Sequence, residues 1–171
     1  MHINNINYTK QRNGAFNCLK SKYKNIYFSG VPTQEKKYIE GLKKRNVKTV
    51  VVLMDHHELF YYGYDDLLSC YKQAGLNVIH IPIHDYGVPK KLHRFSETIT
   101  HVLSRLKKHN IAVHCMGGHG RTGLFNTALM MQLYNKPAIM ILNIIRTGFK
   151  AVESDNQIDF LLDYQDYIEQ P

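Results

Sequence analysis

The stretch from Ile111 to Tyr134 leaves this chain the least freedom. Ile111 to Val113 is a short apolar run that ends at His114 and Cys115, and it reads as a buried strand. Gly117, Gly118 and Gly120 follow within five positions, then Arg121 and Thr122. An apolar run from Leu124 to Tyr134 then reads as a helix. The order is therefore strand, tight loop, helix N-terminus. The loop and the first helical turn leave backbone N–H groups without partners, so the unit is a cradle for an anion. Its glycines let the backbone curl closely around a ligand.

Two side chains turn that cradle into a candidate active site. Cys115 lies at its floor, where the positive end of a helix and a nearby arginine favour the thiolate. Arg121, six residues later, carries a planar fork that can hold two oxygens of a phosphate or sulfate. A thiolate beneath a bound phosphate is placed for in-line attack on phosphorus. The competing readings are a small buried cysteine that merely follows a strand, and a glycine loop for a nucleotide. The second is weakened because G-x-x-x-x-G-K-[ST] does not occur.

Residues 114 to 123, H-C-M-G-G-H-G-R-T-G, resemble the C-x5-R-[S/T] signature of the cysteine-dependent protein tyrosine phosphatase superfamily. In length the chain is most similar to its compact dual-specificity members. The resemblance implies a phosphate-binding loop of Cys115, Met116, Gly117, Gly118, His119, Gly120 and Arg121. It implies that Cys115 carries the phosphoenzyme and Arg121 binds the phosphate. Thr122 would hydrogen-bond the thiolate and help it leave in the second step, and His114 would support the geometry of Cys115 rather than act as a base. No metal or organic cofactor is expected, because the loop and Arg121 supply the electrostatic stabilisation.

The chemistry also needs an acid to protonate the departing alkoxide or phenolate. Asp85, in H-D-Y-G-V-P (residues 84 to 89), sits just past an apolar strand, 30 positions before Cys115. The resemblance maps the family's catalytic aspartate onto it. A turn-forming or capping aspartate is the plain alternative. Near the C-terminus, Gln157 and Phe160-Leu161 resemble the Gln-x-x-Phe-[Leu/Ile] segment of several tyrosine phosphatases, in which the glutamine can help position the attacking water. A plain surface glutamine is the competing reading.

Composition sets wider bounds. The 171 residues, 44% hydrophobic and 21% charged, suit one globular domain over 1–171. Three cysteines are no disulfide framework. No run of 18 apolar residues occurs, so no transmembrane segment is expected. No typical signal peptide opens the chain, which makes the cytoplasm the default and leaves open export by a route without such a signal. The formal charge of +8 favours anionic partners. The basic residues are scattered in pairs such as Lys36-Lys37, Lys90-Lys91 and Lys107-Lys108, which read as solvated faces. No zinc-finger or RNA-binding signature makes nucleic acid an obligate partner.

Along the chain, residues 1–25 are polar and are expected to wrap the surface. Ile26 to Phe28 reads as a strand, and Thr33 as the N-cap of a helix that runs to about Arg45. Val47 to Met54, V-K-T-V-V-V-L-M, reads as a central parallel strand covered on both faces. Residues 55–64 read as a loop at its carboxyl end, where α/β proteins build binding walls. Asp55, His56, His57 and Glu58 hold a metal on one reading, but neighbouring residues rarely converge on one ion and H-E-x-x-H is absent. Tyr61, Tyr62 and Tyr64 either line a cleft or pack beside it. Asp65 to Ala74 reads as a helix whose Cys70 is a buried residue or, on the alternative, a resolving thiol for oxidised Cys115. Asn77 to Ile83 is another strand, with Pro82 marking its end or a sheet edge. Leu92 to His109 is an amphipathic helix, and helices are also expected at Ala138 to Ile145 and after Asn156. Arg146 reads as a solvated arginine, or as one able to reach a phosphate.

The fold expected is α/β: a central, mostly parallel four- or five-stranded sheet flanked by helices, with the Cys115 and Asp85 loops at the carboxyl ends of its strands. The function expected is hydrolysis of phosphotyrosine, and of phosphoserine and phosphothreonine, through a phosphocysteine, with a phosphoprotein or phosphopeptide as partner. The alternatives are a phosphoinositide or inositol phosphate phosphatase, an RNA 5′-phosphatase, and a phosphate-binding module without turnover. Met116 and His119 stand at the two lysine positions of the C-K-x-G-K-x-R loop of the phosphoinositide phosphatases, which lowers the lipid reading.

Overall fold

Side-chain alternation along β4 (Val47–Met54) sets the architecture. Seven of its eight residues are buried. Val51 and Leu53 join one apolar cluster, and Val50, Val52 and Met54 join another. A strand buried on both faces requires helices on both sides of the sheet. The structure, a computed structural model, describes residues 16–170 and the backbone of 8–10.

β4 lies between β6 (Asn110–His114) and β5 (Asn77–Ile83), parallel to both, and β3 (Asn25–Ser29) pairs parallel to the far side of β6. β2 (Asn17–Lys20) adds an antiparallel fifth strand, and the three-residue β1 (Tyr8–Lys10) extends that edge. The mostly parallel, helix-flanked sheet is thus as expected. Part of the segment expected to wrap the surface instead completes the sheet: Leu19 of β2 is wholly buried. Residues 1–7 and 11–15 lie outside the described residues. β5 forms the opposite edge, which is where Pro82 is tolerated because its missing N–H costs no ladder bond.

One face of the sheet carries α4 (Leu92–Leu106), α5 (Gly120–Tyr134), α6 (Ala138–Arg146) and α7 (Asp155–Glu169). The other carries α1 (Glu35–Lys44) and α3 (Leu67–Gln73), whose Tyr38, Leu42, Leu67 and Tyr71 are buried against β4. α5 is buried along nearly its whole length, which fits a sequence apolar all round rather than on one stripe. It starts at Gly120, so Arg121 and Thr122 belong to its first turn.

Two local expectations fail. α1 begins at Glu35, and Thr33 is not its cap: Gln34 holds that position without a side-chain bond. Residues 55–64 are not simply a loop, because α2 (His56–Tyr61) occupies most of them. Asp55 caps α2 by accepting the Glu58 N–H at 2.8 Å, and Glu58 reaches back to the Asp55 N–H at 3.3 Å. That reciprocal capping box fits D-x-x-E just before a helical turn. Among the described residues no helix is long and apolar enough to cross a membrane.

Candidate active site

β6 delivers Cys115 to the carboxyl edge of the sheet, and residues 116–119 carry the chain over to α5. The loop is locked to its neighbour. The Val31 N–H donates to Met116 O at 2.9 Å. Gly118 adopts φ +79°, and a Cβ there would lie 2.5 Å from Gly30 N, so a side chain fails on both conformation and space. One turn into α5, a Cβ on Gly123 would lie 2.6 Å from Ala151 Cα. The missing side chain lets residues 151–152 press against the helix behind the cradle.

Cys115 Sγ is buried and accepts two hydrogen bonds, from Gly118 N–H at 3.2 Å and from Thr122 Oγ1 at 3.1 Å. His114, the last residue of β6, is wholly buried with Nε2 3.0 Å from the Tyr71 hydroxyl. Burial pushes its pKa down to about 4, against a smaller opposing effect of the Cys115 backbone. It is therefore neutral at pH 7, as suits a packing residue and not a proton carrier.

Arg121 is 2% exposed. Glu58 accepts both ends of its guanidinium fork, at 2.8 Å to Nη2 and by a short contact to Nη1. Nη1 also donates to Ile83 O at 2.9 Å, and Nη2 to Asp85 Oδ1 at 3.0 Å. Burial alone opposes the charge. Glu58, Cys115 and Asp85 outweigh it and hold the Arg121 pKa above its ordinary value. A fully charged arginine is thus fixed beside the cradle, in the fork-to-carboxylate geometry that suits it best.

Asp85 follows β5 in a tight turn closed by Gly87 N–H to His84 O at 2.9 Å. Its side chain is 60% exposed. Tyr86, next in the turn, has φ +55°, a left-handed conformation that costs a bulky residue about 1–2 kcal/mol. Ties from elsewhere stabilise it. Ser154 Oγ lies 3.0 Å from Tyr86 O, and Gln157 Nε2 donates to Gly87 O at 3.1 Å. Next to the turn, His84 Nδ1 bonds Asp55 Oδ2 at 2.5 Å. Burial opposes ionisation of Asp55, yet the Glu58 N–H and His84 together hold its pKa below the usual carboxylate range.

The structure thus brings together Cys115, Arg121, Thr122, Asp85 and the 115–121 loop, with His114 beneath. Gln157 also belongs to the assembly, wholly buried at the start of α7 rather than on the surface. Three other expectations are corrected or narrowed. Arg146 is exposed, as the solvated reading expects, and its Nε and Nη2 donate to Ala151 O and Val152 O, at 2.9 and 3.1 Å, rather than reaching the cradle. Cys70 is half-buried on α3, where Glu35 raises its pKa, and all three cysteines are free thiols. His56 packs edge-on to His80 while Asp55 caps α2, and among the described residues no cluster of three or more His, Cys, Asp or Glu is arranged for a metal.

Sequence reasoning missed two carboxylates. Glu58 clamps Arg121, and the D-x-x-E cap was the signal that its side chain turns back into the structure. Glu153 accepts the Gly120 N–H at 2.9 Å, with no signal in the sequence. Gly118 to Gly123 also spell G-x-G-x-x-G, the spacing of a dinucleotide loop. What departs from such a loop is the sulfur at the floor and the clamped arginine in the first helical turn.

A cavity of about 420 Å³ opens over Asp85 and is lined by Asp55, His57, Glu58, Tyr61, Tyr62 and His84. Tyr61 and Tyr62 are 73% and 55% exposed on its wall, so they line the cleft, whereas Tyr64 packs against the core.

Known proteins resemble this chain in sequence and fold. The family described as "Polymorphic toxin system, DSP-PTPase phosphatase" matches residues 27–133. Human cyclin-dependent kinase inhibitor 3 is 30% identical over 145 residues, which span 81% of this chain and 67% of that protein. The crystal structure of Tk-PTP in its active form superposes with a TM-score of 0.70 at 27% identity, covering 82% of this chain and 91% of that one. Kinase associated phosphatase, with a serine substituted for its catalytic cysteine, superposes at 0.76 with 22% identity over 86% and 89% of the two chains.

Proposed function

Because the chain belongs to the dual-specificity-type (DSP-PTPase) family of cysteine-dependent protein phosphatases, we propose that it hydrolyses phosphotyrosine, and also phosphoserine and phosphothreonine, in proteins. The observation that carries this reading is the convergence of Cys115 Sγ, the Arg121 fork and the Asp85 carboxyl on one cradle. The phosphoryl dianion takes the place of Asp85 on Arg121 Nη2 and is held by loop N–H groups. Cys115 Sγ attacks phosphorus, and the P–O bond to the leaving group breaks as Asp85 passes its proton to the departing oxygen. The exposed position of Asp85 gives it room to turn from Arg121 to that oxygen. Water, deprotonated by the Asp85 carboxylate, then cleaves the S–P bond. Thr122 Oγ1 stabilises the departing thiolate, and phosphate leaves. His114, tied through Nε2 to the Tyr71 hydroxyl, fixes the end of the strand that leads into Cys115.

The cavity lining supports a protein substrate. Three carboxylates and two histidines face it, with no lysine or arginine among its lining residues. A headgroup that carries several phosphates gains little there, whereas one phosphorylated side chain needs only the cradle. The exposed rings of Tyr61 and Tyr62 suit a peptide flank or a phosphotyrosyl ring.

Catalytic efficiencies on matched phosphotyrosine, phosphoserine and phosphothreonine peptides, phosphoinositides, soluble inositol phosphates and 5′-triphosphate RNA test this. Peptides are expected to lead, and Cys115→Ser is expected to bind phosphopeptide without releasing phosphate. A hundredfold preference for lipid or RNA over every peptide overturns the substrate reading. Appreciable release by Cys115→Ser overturns the nucleophile.

A further inference from the structure

Gln157 is tied at both ends of its amide, a placement that suits a bridge better than a handler of water. It is wholly buried, its Oε1 accepts the Glu153 N–H at 3.0 Å, and its Nε2 donates to Gly87 O at 3.1 Å. The first of these partners belongs to the residue whose carboxylate accepts the Gly120 N–H at the start of α5. The second belongs to the turn that carries Asp85. A continuous chain of polar contacts therefore runs from the acid turn, through Gln157 and Glu153, to the cradle. Ser154 adds a weaker tie, because its single hydroxyl proton is shared between Tyr86 O at 3.0 Å and Asn156 Oδ1 at 2.6 Å.

The acid turn needs such a tie. Tyr86 at φ +55° is a conformation a tyrosine leaves when nothing holds it. Asp85 itself is mostly in solvent, so little packing fixes where its carboxyl points. A general acid must sit within hydrogen-bond reach of the leaving oxygen, and small displacements cost large factors in rate.

We propose that Gln157 is a positioning residue for the Asp85 turn, bridging Gly87 to Glu153 so that the acid and the cradle keep a fixed relation, and that it does not place the attacking water. The proposal rests on the reading of Cys115 as nucleophile and Asp85 as acid. It predicts a loss confined to the step that protonates the leaving group.

Gln157→Glu tests it with little change in volume. Glutamate still accepts from Glu153 N–H but sets an oxygen against Gly87 O, breaking one tie alone. With a poor leaving group such as phenyl phosphate, kcat is expected to fall ~10–30-fold, and with 2,4-dinitrophenyl phosphate less than ~3-fold, the pattern of a displaced general acid. In an Asp85→Asn background the same change is expected to add less than ~2-fold, because both act on one proton transfer. If Gln157 instead places water, hydrolysis of the phosphocysteine slows. A pre-steady-state burst then appears, and kcat falls equally for both leaving groups. That result, or full additivity with Asp85→Asn, overturns the proposal. If circular dichroism shows that Gln157→Glu is unfolded, Ser154→Ala decides on the milder tie: a ~2–4-fold loss with phenyl phosphate alone supports the strut, and no loss or an equal one overturns it. Phosphate release that survives Cys115→Ser overturns the underlying reading of Cys115 as nucleophile instead, and is told apart by that control.

Discussion

The two halves of the site are fixed by different means. On the cradle side Cys115, Arg121 and Thr122 are buried in the main core, and a close backbone approach at Gly123 backs the helix they start. On the acid side Asp85 stands 60% exposed on a turn with a strained Tyr86, tied down by side chains from α7 and its leading loop. Close packing resists small displacements collectively. A turn held by two or three hydrogen bonds yields when one of them goes. On the proposed mechanism, phosphate binding is thus built into the fold, while proton delivery is built onto it, in the part of the molecule that can move and still leave the core intact.

That difference is sharpest in Asp85→Asn. The cradle is expected to survive unchanged, with the affinity for inorganic phosphate within ~3-fold of the wild type and kcat for poor leaving groups reduced ~10²–10⁴-fold, the usual worth of a general acid. The loss is expected to shrink as the leaving group becomes more acidic, because a good leaving group needs no proton. Steady-state rates across a series of aryl phosphates check it. A loss equal across the series would mean that Asp85 supports the loop only, and Asp55, Asp65 and Asp66 would then be examined as the acid.

The second expected effect belongs to the buried side. His114 has its pKa lowered from 6.5 to about 4 by burial. Above pH 6.5 both folded and unfolded chains keep it neutral, and nothing is lost. Between 6.5 and 4 only the unfolded chain takes up the proton, so stability falls as pH falls, by about 3 kcal/mol across the window. His80, lowered by burial as well, acts in the same direction. Urea midpoints at pH 7 and pH 5 read this, and His114→Asn is expected to flatten the difference. Equal slopes in the two proteins would show that the acid sensitivity arises elsewhere, with His80 and His109, both lowered by burial from the same starting value, as the next groups to test.

What the sequence made legible follows the same division. β4 and β6 lie where apolar runs place them, because strands covered on both faces carry their signal in nearly every residue, and the half-buried edge strand β5 also lies on its apolar run. Cys115 and Arg121 are legible because a strand, a glycine loop and a helix start place them on one cradle, and Thr122 is legible by resemblance. Glu58 was hidden for two reasons: it sits 63 positions from its partner Arg121, and its own segment was read as a loop although Asp55 and Glu58 spell a cap. Glu153 and the carbonyl contacts of Arg146 had no local signal at all, since a long-range contact to a backbone atom leaves no pattern in the residue types it joins. Gln157 was found by resemblance, but its partners Gly87 and Glu153 are visible only in three dimensions.

Glu58 lies between the two halves, and the smallest expected effect assigns it to one of them. Its carboxylate accepts both ends of the Arg121 fork, while its backbone N–H anchors Asp55 at the start of α2. Glu58→Gln keeps the shape and one acceptor but removes a charge. Two consequences oppose each other. Arg121 gains effective positive charge toward phosphate, and it loses the matched fork that fixes its plane. Orientation is expected to win, because in-line transfer depends on phosphate held in register with sulfur, so kcat/KM falls ~10-fold. On the proposed mechanism Arg121 acts on the phosphoryl group whatever leaves it. The loss is therefore expected to be the same for phenyl and for dinitrophenyl phosphate, in contrast with Asp85→Asn. Inhibition by inorganic phosphate is expected to be unchanged or stronger. A loss that grows with poorer leaving groups would place Glu58 with the acid turn, acting through the neighbouring Asp55–His84 contact, and would move the boundary between the packed and the tied half onto α2.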